Sequence, residues 1–250
     1  MGDTNKKQDR PGSTMSLGDH LDELRSRLIY ALAGLAICTI ISLAFSRYII
    51  TFLQIPYVAI MGNKSLQALA LAEGFVSYVK IALITGLIIS SPWVFYHLWM
   101  FVAAGLYQKE QKYIRLAVPF SAILFVAGAL FFIFVVAPLS IGFLVKFNRW
   151  IGLNSNITFK NYISFVTTLM LVFGLAFQTP TAIFFLNRTG LVSIKALCKS
   201  RKYVLLVVFI VAAMATPPDV VSQVTLAVPL YLLFEFGILI SHLANRRKRA

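Results

Sequence analysis

Acidic side chains are scarce in this 250-residue chain: nine Asp and Glu stand against 23 Lys and Arg. Each carboxylate in a basic or apolar setting is therefore a candidate for chemistry. Glu23 lies in the polar segment Ser16-Leu-Gly-Asp-His-Leu-Asp-Glu-Leu-Arg-Ser-Arg-Leu28, two residues before Arg25 and four before Arg27. Glu110 is the one acid in the basic segment 105–115, and Trp99 and Phe101 precede it. A carboxylate accepts both arms of a planar guanidinium fork, which a lysine cannot reproduce. Two such carboxylates on one surface can hold two consecutive arginines. The local alternatives are an i,i+4 pair of Glu23 with Arg27, worth about 0.2–0.5 kcal/mol, and neutralisation of Glu110 by Lys109 and Lys112. For Trp99 and Phe101 the alternative is a place in an interfacial aromatic belt.

A second group lies in apolar surroundings. Glu235 falls inside a long apolar run, where an ionised side chain costs roughly 2.5–3.5 kcal/mol at mid-bilayer. It must be protonated, paired or turned to a polar cavity. Gln178 precedes Thr179-Pro180 and can bond across to another helix. Asp219 follows Pro217-Pro218 and is placed to cap the next helix, with Gln223 a turn later. Pro56, Pro92, Pro119 and Pro138 should kink or end helices. No nucleophile–base motif, paired intramembrane aspartates or metal-ligand spacing occurs. His20, His97 and His242 stand apart, as do Cys38 and Cys198, and the residues predict neither an enzyme nor a cofactor.

The elements that position these residues follow from composition. Of the chain, 59% is hydrophobic and 13% charged, against roughly 25% charged in soluble domains. Residues 28–46, 81–108, 116–145, 161–187 and 203–218 carry no Asp, Glu, Lys or Arg. Most reach the roughly 18 residues of a spanning helix. Helices are expected near 27–46, 75–104, 114–140, 160–187, 203–217 and 222–242. Leu17, Leu21, Leu24 and Leu28 give the segment before the first span one apolar face, an amphipathic helix on the membrane surface. The fifth helix, stopped by Pro217-Pro218, is about 21 Å long against a hydrocarbon core of roughly 30 Å.

Seventeen of the 23 Lys and Arg fall in 1–27, 105–115, 188–202 and 243–250, and six on the opposite side. The positive-inside rule makes the first set cytoplasmic. The net charge of +14 thus orients helices, and no reader motif for nucleic acid accompanies it. The expectation is an all-α polytopic membrane protein with six transmembrane helices. Both termini are cytoplasmic, the fifth and sixth helices are short, and an N-terminal amphipathic helix lies on the cytoplasmic side. Residues 1–15 form a disordered tail, 16–242 a single transmembrane domain and 243–250 a basic tail.

In sequence, residues 16–242 resemble the TatC family of the twin-arginine protein translocase. His20-Leu-Asp-Glu-Leu-Arg-Ser-Arg-Leu28 is similar to the family's opening H-L-x-E-L-R-x-R-L. Trp99-Met-Phe101 with Gly105-Leu-Tyr-Gln-Lys-Glu110 resembles its first cytoplasmic loop. Phe173-Gly-Leu-Ala-Phe-Gln178-Thr-Pro180, Arg201-Lys-Tyr203, Thr216-Pro-Pro-Asp-Val220, Ser222-Gln223, Pro229 and Phe234-Glu235 continue the pattern. Gln178 stands where many relatives carry Glu, Gly105 where proline is common, and Tyr57 where leucine is usual. The resemblance implies a receptor in the bacterial inner membrane that binds twin-arginine signal peptides through Glu23, Glu110, Arg25 and Phe101. It implies export of folded proteins driven by the proton-motive force, with TatB and TatA as single-span partners and self-association. A solute transporter or channel, suggested by Glu235 and the interrupted helices, is the rival reading.

Overall fold

The structure is a computed structural model and describes residues 17–62, 65–104, 111–154, 156–215 and 220–246. Among these residues every named element is helical, apart from one isolated bridge between Gln67 and Thr158. The sequence 17–53 holds no proline and no turn chemistry. The amphipathic stretch and the first span accordingly form one unbroken helix, α1 (Leu17–Leu53), instead of two elements. Its apolar stripe is not covered by protein: Leu21, Leu24 and Leu28 are all exposed. At Gln54 the helix yields to α2 (Ile55–Met61), with Pro56 in the first turn, where its missing N–H costs nothing. The buried Pro56 and Tyr57 seat this short helix in the core.

The remaining elements are α3 (Glu73–Ala104), α4 (Gln111–Phe131), α5 (Ala137–Trp150), α6 (Phe159–Ala176), α7 (Thr179–Arg188), α8 (Ile194–Ala215) and α9 (Val220–Arg246). Helices α4 and α5 are joined by a π-helical turn, Phe132–Val136. Pro138, in the first turn of α5, has no N–H to offer the carbonyl four residues back, and the widened turn absorbs that mismatch. Pro180 plays the Pro56 role at the start of α7, after a break at Phe177 and Gln178. Pro92, Pro119 and Pro229 are accommodated inside α3, α4 and α9.

Among the described residues, five helical stretches are long and apolar enough to cross a membrane: Leu21–Met61, Glu73–Ala103, Ala117–Trp150, Phe159–Arg188 and Val220–Ala244. Helix α8 has a basic N-terminal half, with Lys195, Lys199, Arg201 and Lys202, so helix begins well before the expected Tyr203. Its apolar run, from Tyr203 to Ala215, measures about 20 Å.

The π turn sits at the centre of the core. Phe132, Ile133 and Val136 pack with Ile81, Leu53, Ile163, Val166, Leu169 and Phe173. Helices pair in sequence, α1 on α3, α3 on α4, α4 on α6, and α7 and α8 on α9. Glycines set the closest approaches, as small residues do between helices in lipid. A Cβ on Gly86 would lie 2.7 Å from the Thr39 Cα, and one on Gly128 2.6 Å from the Phe173 carbonyl oxygen. The α1–α3 seam is further tied by Tyr78, whose hydroxyl donates to the Leu43 carbonyl, and by Trp93, whose Nε1–H donates to the Tyr30 carbonyl at 2.9 Å.

Candidate functional site

Helix α1 carries Glu23 half-buried near its N-terminal end. Arg27, one turn on, donates to Glu23 Oε1 from Nη2 at 3.2 Å and from Nε at 3.4 Å. Both contacts fall on one oxygen, so the pair is not the two-armed fork and leaves Oε2 outside it. Arg25 is exposed on the same helix. Against this end packs an aromatic cluster on α3: Trp93, Tyr96 and the buried His97, on which Tyr30 of α1 stacks at 5.7 Å. Neither ring nitrogen of His97 finds a partner among the described residues. Phe101, one turn further along α3, is half-buried. Glu110 and Asp219 lie outside the described residues, so the expected meeting of Glu23 with Glu110 and the capping role of Asp219 have no structural counterpart here.

A second polar node ties three helices. Gln178, at the α6–α7 junction, donates from Nε2 to the Ser121 carbonyl of α4 at 2.9 Å. The Ser121 hydroxyl accepts from Trp99 Nε1 of α3 at 2.9 Å, and Trp99 meets Phe185 of α7 edge-on at 4.7 Å. The sequence anticipates a cross-helix bond from Gln178. It gives no sign of Ser121, one of many small residues in an apolar run.

On α9, Glu235 is paired. Arg201 of α8 donates to Oε2 at 2.8 Å and the Tyr231 hydroxyl donates to Oε1 at 2.8 Å. The carboxylate holds the Arg201 guanidinium above its ordinary value. Gln223, expected beside a helix cap, instead donates from Nε2 to the Phe209 carbonyl of α8 at 3.0 Å. The intramembrane Glu235 thus meets its cost by pairing across to the basic end of α8. The sequence contained this pairing only as two separate motifs. Lys80 is a further polar residue to which the sequence assigned only a place in the charge count.

Compared with known proteins, residues 19–229 match the family model described as Sec-independent protein translocase protein (TatC). The chain belongs to the TatC family. A TatC from Desulforapulum autotrophicum is 36% identical over 231 residues, 92% of this chain and 85% of the relative. One from Carboxydothermus hydrogenoformans is 38% identical, covering 94% of each. A crystal structure of the twin-arginine translocase receptor TatC superposes with a TM-score of 0.82 at 34% identity, covering 90% of this chain and 99% of that one. A second, in the detergent DDM, gives 0.83 at 34% identity, covering 89% and 99%. This member of the TatC family is therefore a multi-pass membrane component of the Sec-independent translocase, and its family is one of transport proteins, not enzymes.

Proposed function

We propose that this TatC protein is the core receptor that captures twin-arginine signal peptides at the cytoplasmic face of a bacterial inner membrane, for export of folded proteins by the proton-motive force. In this reading both termini are cytoplasmic, α8 completes a set of six spans, and TatB and TatA are the single-span partners. Glu23 and Glu110 receive the two guanidinium groups, with Arg25 and Phe101 flanking them. The single observation that carries the reading is the state of Glu23. It stands near the N-terminal end of α1, half-exposed and held by Arg27 through two contacts on one oxygen. Such an i,i+4 pair contributes about 0.3–0.5 kcal/mol, so an incoming arginine with two-armed geometry displaces it readily. The cavity bounded by Tyr48, Phe52, Thr85, Ile88, Ile133 and Met170, about 300 Å³, has apolar walls and offers little to the polar solute a transporter reading requires.

Photo-crosslinking with an Arg-Arg signal and its Lys-Lys counterpart tests the proposal. Wild-type protein should capture the first and not the second. Glu23→Gln or Glu110→Gln should lose capture while membrane insertion stays normal. Undiminished Arg-Arg crosslinking in the double variant would remove both carboxylates from the site.

A further inference from the structure

Lys80 lies on α3, and its Nζ donates to Ser164 Oγ at 2.9 Å and to Thr168 Oγ1 at 3.4 Å, both on α6. No carboxylate answers this charge among the described residues, where the ion pairs are Arg27–Glu23 and Arg201–Glu235. Glu73, a neighbour along α3, accepts from the Leu69 N–H at 3.0 Å through Oε2. The three side chains are each half-buried, so the cluster is open on one side.

Its depth is set by α3 itself. Thirty-two residues measure about 48 Å, roughly 9 Å beyond each edge of a 30 Å hydrocarbon core for a centred helix. Lys80 stands seven residues from Glu73, about 10 Å along the axis, and so within about 2 Å of the hydrocarbon edge, beside the headgroup layer. The hydroxyls are also unusual in this chain. Thr39, Ser46, Thr51, Thr167 and Thr225 all turn back to the carbonyl four residues earlier. Ser164 and Thr168 instead give lone pairs to Lys80. Their own protons and the third N–H of the ammonium are further donors within the same cluster.

We infer that Lys80, Ser164 and Thr168 form a binding site for the phosphate of an anionic phospholipid headgroup, in the leaflet at the N-terminal end of α3. A phosphodiester accepts from all three donors and supplies the negative charge the cluster lacks. The lipid is favoured over a free anion because the open side lies at bilayer depth.

Native mass spectrometry of the intact protein, exchanged with phosphatidylglycerol or phosphatidylcholine, provides the test. Wild-type protein should retain phosphatidylglycerol over phosphatidylcholine. Lys80→Gln should lower that retention roughly fivefold, the weight of one lysine near an anionic surface. Lys80→Arg, which keeps the charge, should preserve the preference, and Ser164→Ala/Thr168→Val should weaken it. Equal retention of both lipids by wild type would overturn the site. So would unchanged phosphatidylglycerol retention in Lys80→Gln, or displacement of the lipid by millimolar inorganic phosphate, which would assign the cluster to a free anion. Loss of partner-subunit binding in Lys80→Gln with lipid retention intact would assign the charge to a protein contact.

Discussion

At the scale of single residues, the chemistry divides into contacts that stabilise and contacts that can be exchanged. The Glu23–Arg27 pair is of the second kind. Glu23→Gln should shift thermal stability by about 0.5 kcal/mol or less while abolishing signal capture. A loss of stability of several times that size, with capture following it, would make Glu23 a structural residue. Gln178 is of the first kind. Removing its bond to the Ser121 carbonyl in Gln178→Leu should cost about 0.6 kcal/mol and at most about 1.7, the range for side-chain bonds between helices in lipid. Equilibrium unfolding in mixed detergent micelles measures it, and Trp99→Phe should act on the same node from the α3 side.

At the scale of elements, glycines decide how near helices come. Gly128→Ala drives a Cβ against the Phe173 backbone oxygen, which cannot turn aside, and should cost about 1–3 kcal/mol. Gly174→Ala meets the Phe125 ring, which can rotate, so a smaller loss is expected; Gly74→Ala meets nothing within 4 Å and serves as the control. Parallel unfolding curves for the three variants would distinguish these cases, and equal stabilities would refute the packing argument. Four of the spans were legible because lipid excludes charge, and the charge-free runs 28–46, 81–108, 116–145 and 161–187 mark them; the run 203–218 falls on α8, and the span Val220–Ala244 carries Glu235. The ends were less so. Helix continues through the basic residues 195–202 and past Lys146 and Arg149, since hydrogen-bonded helix persists where water or headgroups solvate the side chains. Pro56 was legible as a break; the break before Pro180 was not, because the apolar run 160–187 reads as one helix through it. The π turn at Phe132–Val136 was not, because its residues are ordinary core apolars and its cause lies in Pro138, beyond its end. In the same way, Glu235 announced that it needed a partner, but Arg201 is 34 residues away and only packing of α8 on α9 joins them.

For the whole molecule, the uneven sharing of contacts has the widest effect. The apolar run of α8 is about 10 Å shorter than the hydrocarbon core, so lipid beside it should thin. Spin labels along 203–215 should report shallower depths than labels on α3, and ordinary bilayer depth throughout would count against thinning. Helix α1 differs in another way. In its most apolar stretch 6% of residues are buried, against 39–44% in the other four spans, and it rests chiefly on α3. Yet it runs about 55 Å without a break, and at its far end the Leu53 carbonyl takes the Tyr162 hydroxyl bond in the core. A rod gripped along one seam and anchored at one tip works as a lever arm. One continuous helix thus joins Glu23 at one end to the Tyr162 contact at the other, with no break between them.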